Sequence, residues 1–356
     1  MEKYVAYVSS YTRGSSKGIT IYYVDLDQGT FIKKNEIEAE NPSYMVTSNS
    51  GKFLYVGTDY GINSYKIEAD GGLIFLNTAP INGMRASHIS ITEDDKYLFA
   101  SGFHDGKLTV LRIGEDGLAG EITDEIYDKG VGKVLEPNST PHITCSAFTG
   151  DKEFLAVCDL GIDQIKINKF DTVTGKLRMV DIIRGDLQMA PRSILFSQDG
   201  RFAYVARELK NEVAVYSYEL INGEPIFELI ENVLAVQDKA TGNAATSTIK
   251  MTSDNENLLC TNAGDDTITI FKRDNKTGKL SRRSVLPISG EFPKDIIIFP
   301  DNRHIASLNH SSGEITFFAT NFETGNFTMS AKPVQNDSPN CGLIIRLWYE
   351  SDYMNF

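Results

Sequence analysis

Pro141-His142-Ile143-Thr144-Cys145-Ser146-Ala147-Phe148, then Thr149-Gly150-Asp151-Lys152, then Glu153-Phe154-Leu155-Ala156-Val157-Cys158-Asp159-Leu160-Gly161-Ile162-Asp163 is the stretch from which the fold can be read. The first run is short and β-rich, the polar tetrapeptide is a turn, and Phe154 to Cys158 is a second apolar strand. Two strands joined by a tight turn lie antiparallel, so the start of one and the end of the other share an edge of the sheet. His142 and Asp159 are therefore expected on one face of the molecule. The pattern recurs at Pro191-Arg192-Ser193-Ile194-Leu195-Phe196-Ser197, Gln198-Asp199-Gly200-Arg201 and Phe202-Ala203-Tyr204-Val205-Ala206-Arg207-Glu208-Leu209. Here Arg192 and Glu208 take the places of His142 and, to within a residue, Asp159.

Seven copies of the second strand can be found, starting at Tyr4, Phe53, Tyr97, Phe154, Phe202, Leu258 and His304, about 45 to 57 residues apart. A third strand follows each one at a near-fixed offset: Gly18-Tyr22, Ile62-Lys66, Leu108-Leu111, Ile165-Asn168, Val213-Tyr216, Ile268-Phe271 and Ile315-Phe318. Alternation with β-branched and aromatic residues makes these strands, not helices. Gly-containing turns such as Asp70-Gly71-Gly72 and Thr174-Gly175-Lys176 lead to a more polar fourth strand. Four antiparallel strands repeated radially form a propeller blade. The expected fold is all-β, a seven-bladed β-propeller in one domain over 1–356. The chain begins at a second strand and ends with the apolar run Leu343-Trp348. That run is expected to be the innermost strand of the blade begun by the N-terminus, closing the ring and removing an open edge. The stretches 128–140 and 222–247 are expected to be the longest irregular connections.

The 356 residues are 41% hydrophobic and carry a formal charge of -13. That balance repels phosphate backbones, and there is no Lys/Arg run, so nucleic acid is not an expected partner. No apolar segment approaches the ~20 residues of a membrane helix, and Met1-Val5 carries no signal-peptide core, so no membrane partner and a cytoplasmic location are expected. Cys145, Cys158, Cys260 and Cys341 sit in apolar runs without a CxxC pair and read as buried, reduced thiols. We expect a monomer or a weak homo-oligomer.

First-strand starts and second-strand ends should surround the central channel on one face. Four of the five histidines, His88, His104, His142 and His310, fall there, with Arg192, Glu208, Asp159 and Lys294; only His304 does not. Scattered surface histidines would not favour one rim. There is no GxSxG elbow, no P-loop and no HExxH spacing, so no cofactor and no metal site are assigned. Acid/base work by His142 and Glu208 on an anion held by Arg192 and Lys294 remains. An arginine can grip a carboxylate or phosphate and stabilise a developing oxyanion. These groups suit hydrolysis of an activated ester such as a lactone, or the reverse ring closure. His142, Arg192 and Glu208 are the candidate catalytic residues. His88, His104, Asp159, Lys294 and His310 are the candidates for contact with a small anionic or sugar-lactone ligand.

At these residues the chain resembles the lactonase family of seven-bladed propellers, which includes lactone hydrolases of the 6-phosphogluconolactonase type and muconate lactonizing enzymes. The resemblance spans essentially the whole chain. It is clear at Tyr11-Thr12-Arg13-Gly14-Ser15-Ser16-Lys17-Gly18-Ile19, Pro141-His142, Asp159-Leu160-Gly161-Ile162-Asp163, Pro191-Arg192 and Asp199-Leu209. It implies a catalytic set of one histidine, two arginines and a glutamate, three of which His142, Arg192 and Glu208 match. The chain departs from the family at Thr144 and Ser193, where histidines are usual, and at Ala263 and Lys294, where arginines are usual. Lysine cannot reproduce a bidentate guanidinium. Two other readings follow: a muconate-type cycloisomerase, and a non-catalytic propeller binding a metabolite or partner, which Ser193 and Ala263 favour.

Overall fold

The turn between first and second strands is built the same way in five blades. A Ser or Thr hydroxyl accepts the backbone N–H five residues on, as Ser48 does from Phe53 (3.0 Å), Thr92 from Tyr97 (3.0 Å), Thr149 from Phe154 (3.2 Å), Ser197 from Phe202 (3.1 Å) and Thr252 from Asn257 (3.0 Å). The residue three after the hydroxyl has positive φ: Gly51, Asp95, Lys152, Gly200 and Asn255. Gly, Asn and Asp tolerate that region best, so the polar clusters read as turns are conformationally selected. Lys152 is the one bulky exception.

These hairpins extend into four-stranded antiparallel sheets. The computed structural model describes residues 3–132, 140–237 and 244–347, and over them the chain forms seven such sheets. Their inner strands are Pro339–Arg346 (blade 1), Met45–Thr47 (blade 2), His88–Ile91 (blade 3), Ile143–Phe148 (blade 4), Pro191–Phe196 (blade 5), Ala245–Met251 (blade 6) and Pro293–Ile298 (blade 7). Second strands are almost wholly buried and third strands less so, whereas fourth strands such as Lys176–Arg184 expose most of their side chains. The weak hydrophobic signal of the fourth strands is the signature of an outer edge. Blade 7 adds a short pairing of Val334–Gln335 with Glu314–Asn321.

The ring closes as expected. Tyr4–Ser10 pairs antiparallel with Pro339–Arg346, from Tyr4 opposite Arg346 to Ser10 opposite Pro339. The buried Leu347 continues the pairing by donating its N–H to Lys3 (2.8 Å); Trp348 lies outside the described residues. One expectation needs correction. Much of 222–247 is not irregular: Glu224–Leu234 is the fourth strand of blade 5, paired along Glu212–Ile221. Its exposed residues mix Glu224, Glu228 and Asn232 with Ile226 and Leu229, so the run lacks the clean alternation that marks a half-buried strand. Of the two expected loops, 133–139 and 238–243 lie outside the described residues.

Neighbouring blades are bolted by buried tyrosines. The hydroxyls of Tyr7, Tyr55, Tyr97 and Tyr204 donate to carbonyls of Gly71, Gly117, Thr172 and Gly278, in the outer hairpin of the next blade. Each satisfies a polar group that would otherwise cost about 1–3 kcal/mol to bury unpaired. The four cysteines are free and buried. Among the described residues no helix is long and apolar enough to cross a membrane.

Candidate active site

Bulges aim the side chains at the channel mouth. The pairing slips between Pro191 and Ser193 in blade 5, between Pro293 and Asp295 in blade 7, and between Ile143 and Cys145 in blade 4. Arg192, Lys294 and Thr144 are the extra residues at these slips, and a bulge redirects such a side chain. The register corrects the sequence alignment. The counterpart of Arg192 is Thr144, and His142 precedes its strand altogether. Ile143 pairs with Asp159 as Pro191 pairs with Arg207, so Glu208 lies one residue beyond the position of Asp159.

The two positions where the resemblance expects histidine belong to a belt of bonds around the channel. Thr144 donates to the carbonyl of Pro191 (3.0 Å) and Ser193 to that of Ser247 (2.7 Å). Ser43 to Ala86 (2.5 Å), Ser87 to Ile143 (3.2 Å) and Thr248 to Lys294 (2.9 Å) continue it. Asp295 accepts Gly342 N–H (3.0 Å), and Asn340 donates to Pro42 (3.0 Å), so every junction between blades is bridged. Thr144 and Ser193 thus hold the ring together at this level.

Inside the belt lies a cavity of about 390 Å³, lined among others by Tyr11, Arg85, His88, Phe103, His104, Arg192, Lys250 and Lys294. That volume is within the range usual for small-molecule sites, ~300–1,000 Å³. Phe103 joins two of the candidate residues. The His142 ring stacks on it at 4.5 Å and 16°, and the Arg192 guanidinium carbon lies 5.5 Å from its centroid. His142 Nδ1 is 2.5 Å from the Phe103 carbonyl, a distance at which Nδ1–H donates; in the neutral ring this leaves the Nε2 lone pair unprotonated. Arg192 reaches Glu208 at 3.5 Å, both side chains being partly exposed. His142 and Glu208 stand next to cavity-lining residues without lining the cavity themselves.

Asp159 is not a ligand contact. It is fully buried, and its Oδ1 accepts three backbone N–H groups, those of His142 (2.8 Å), Gly161 (3.0 Å) and Ile162 (3.3 Å). The other carboxylate of the motif, Asp163, accepts from Gln188 (3.2 Å) and Ala190 (2.8 Å), immediately before Pro191-Arg192. Asp159-Leu160-Gly161-Ile162-Asp163 therefore clamps the entries to blades 4 and 5, and with them the backbones that carry His142 and Arg192.

The histidines do different things. His104 is exposed at the mouth with its ring edge-on to Phe103. His310 lies edge-on to Tyr11 with Nδ1 3.1 Å from the Pro339 carbonyl, and burial together with Lys294 lowers its basicity. His88 sits deeper, against Tyr44 and 3.6 Å from Cys145 Sγ. That pair resembles a nucleophile and its base, but the electrostatics oppose it. Burial, with Lys250 nearby, brings His88 down to about 3, and burial raises the Cys145 thiol to about 11. A thiol needs a lowered pKa or a cationic partner to act as a nucleophile. His304, off the rim, is bonded to Asp301 (2.7 Å). Among the described residues, no three His, Cys, Asp or Glu side chains gather into a metal-binding group.

Sequence reading placed Arg192 and Lys294 at the mouth but missed Arg13, Arg85 and Lys250 around them. Tyr11 and Arg13 come from the connection after Tyr4–Ser10 in blade 1, and Arg85 comes from the approach to blade 3. Lys250 lies lower, paired with Asp295 at 3.3 Å; burial opposes its charge, but Asp295 holds it protonated. Burial and the guanidiniums of Arg192, Arg85 and Arg13 bring Lys294 down to about 8. The signal for Tyr11 and Arg13 was the Tyr11–Ile19 stretch, which carries the family resemblance but between two strands reads structurally as a turn.

Residues 5–344 match the family described as "Lactonase, 7-bladed beta-propeller", and the chain belongs to that family. It is 29% identical over 348 residues to the 6-phosphogluconolactonase of Bacillus subtilis (strain 168), covering 96% of this chain and 98% of that protein. Its fold superposes on a putative 6-phosphogluconolactonase from Bacteroides fragilis NCTC 9343 with TM-score 0.88 and 25% identity, over 96% of this chain and 98% of that one. The periplasmic gluconolactonase of Pseudomonas aeruginosa shares the fold with TM-score 0.91 at 22% identity, over 97% and 100% of the two chains.

Proposed function

We propose that the protein hydrolyses the internal ester of a sugar acid, a lactone of the 6-phosphogluconolactone type. The observation that carries this reading is the His142–Phe103–Arg192–Glu208 assembly at the edge of a basic cavity. The Nδ1–H bond to the Phe103 carbonyl leaves Nε2 of His142 able to take a proton from water. The resulting hydroxide attacks the lactone carbonyl, and the Arg192 guanidinium stabilises the oxyanion that forms. Glu208, 3.5 Å away, orients Arg192, and the proton that His142 took from water goes to the departing ring oxygen, directly or through Glu208. Kinship with the Bacillus subtilis 6-phosphogluconolactonase supports the substrate class. A carboxylate in the product balances the basic mouth, and nothing in the cavity favours a muconate over a sugar acid. Four buried free thiols fit a reducing cytoplasm.

The test is lactone hydrolysis by wild type and His142→Ala, corrected for spontaneous opening. Loss of the general base should lower kcat by about 10²–10⁴-fold. Unchanged turnover in the variant would remove His142 from the mechanism. No turnover by the wild type on any sugar lactone, with binding retained, would favour a metabolite-binding propeller.

A further inference from the structure

One tyrosine ring at the mouth meets three cations. The centroid of Tyr11 is 4.4 Å from Arg85 Cζ, 5.6 Å from Lys294 Nζ and 5.7 Å from Arg13 Cζ. Cations this close repel one another unless something between them opposes it. Little on the protein does. Among the described residues no carboxylate pairs with Arg13 or Lys294, and Arg85 is tied only through Nη1, to Asp59 (2.6 Å) and the Asn41 carbonyl (3.4 Å). Burial, and then the guanidiniums of Arg192, Arg85 and Arg13, lower the basicity of Lys294.

The platform is also held in place before any ligand arrives. Thr12 donates to Asn41 Oδ1 from its N–H (3.1 Å) and its hydroxyl (2.9 Å). Ser15 does the same to Asp337 (2.7 and 2.8 Å), and Tyr11 N–H reaches Ser338 (3.2 Å). Gly14 allows this: at φ 60° its position faces Asp337, where a Cβ would come within 2.5 Å of a carboxylate oxygen. A preorganised set of cations loses little on binding an anion.

We propose that Tyr11, Arg13, Arg85 and Lys294 form a phosphomonoester subsite, so that the lactone enters with its phosphoryl group toward blades 1, 2 and 7 and its ester toward Arg192 and Glu208. The orientation rests on the hydrolase reading; the subsite does not. Three cations converging from separate elements match a tetrahedral dianion with three outward oxygens, whereas a planar carboxylate is satisfied by one arginine held bidentately. Tyr11, Arg85 and Lys294 line the same cavity as Arg192, which lets one ligand span both ends.

Calorimetric titration of the wild type, Arg85→Gln and the Arg13→Gln/Lys294→Gln double variant with 6-phosphogluconate, gluconate and inorganic phosphate tests this. Circular dichroism and thermal melts check that each variant is folded. The wild type should bind 6-phosphogluconate about tenfold or more tighter than gluconate, and inorganic phosphate should compete. In the double variant that ratio should fall at least about fivefold. Equal affinity of the wild type for the two sugar acids, or an undiminished ratio in both folded variants, overturns the proposal. If no lactone is turned over but the phosphate preference holds, the hydrolase reading fails and the subsite stands. If gluconolactone and 6-phosphogluconolactone are opened with the same kcat/KM, the subsite fails and the hydrolase reading stands.

Discussion

The backbone N–H of His142 donates to Oδ1 of Asp159 at 2.8 Å, and this bond sets where blade 4 begins. The same oxygen gathers Gly161 and Ile162, so one buried carboxyl holds the candidate base against Phe103 without meeting a ligand. Oδ2 of Asp159 and Oδ2 of Asp128 are both buried without a hydrogen-bond partner, and Asp128 is the neighbouring carboxyl that, after burial, raises Asp159. A proton shared between them accounts for both orphans. Lys166, 2.5 Å from Asp128, balances the remaining charge.

This arrangement predicts a pH-dependent stability. Burial and the neighbouring Asp128 raise Asp159 to about 7, whereas an aspartate in an unfolded chain titrates near ~3.9. Between those values the folded protein keeps a proton that the unfolded chain has released. The contribution is complete below the window and lost as pH rises through about 7. Urea midpoints measured from pH 5 to 8 should therefore fall, and Asp159→Asn should flatten the slope while keeping an acceptor for His142. Asp159→Ala should cost about 2 kcal/mol or more, because three buried N–H groups lose their acceptor. A wild-type midpoint that rises over the same range would contradict the shared proton.

Gly161 is required by space. A Cβ there would lie 1.8 Å from the Thr140 carbonyl and 3.0 Å from Cδ2 of His142, next to the nitrogen proposed as base. Gly161→Ala should displace the histidine and lower kcat by about tenfold or more, since small misplacements of a catalytic group cost about that much or more. KM should change less. A variant with wild-type kcat would show that His142 tolerates movement and is not the base.

Lys294 should make ligand binding alkali-sensitive. It faces Tyr11, Arg13, Arg85, Arg192 and His310, while the nearby carboxylates Asp59 and Glu208 are engaged by Arg85 and Arg192. Its proton is released near pH 8 in the free protein, and a bound phosphate dianion should hold it on. Affinity for 6-phosphogluconate should then drop by up to about tenfold per pH unit above 8. Lys294→Arg should remove that decline. Calorimetry at pH 7, 8 and 9 reads both, and a flat wild-type profile would place Lys294 outside the ligand's field.

The rim was legible because propeller topology returns every first-strand start and second-strand end to one face. Thus Arg192, Glu208, Lys294 and the four histidines could be placed there from spacing alone. Their depth and duty could not. Asp159 has a rim position in sequence but is buried, and His88 lines the cavity well below its mouth, since one bulge or one residue of register decides where a side chain points. Arg192 and His142 occupy similar Pro-X pairs yet different places in their strands, and only the pairing revealed it.

What the chain alone determined was periodic: seven repeats of alternating strands, turns set by Ser, Thr, Gly, Asn and Asp, and a tail whose pattern completes the first blade. Local sterics and burial write these into adjacent residues. Tertiary structure alone decided that Tyr11, Arg13, Arg85 and Lys294 surround one spot, and that Thr144 and Ser193 hold the belt. Electrostatic fields and inter-blade bonds depend on distances between residues hundreds of positions apart, and closing the ring is what sets those distances.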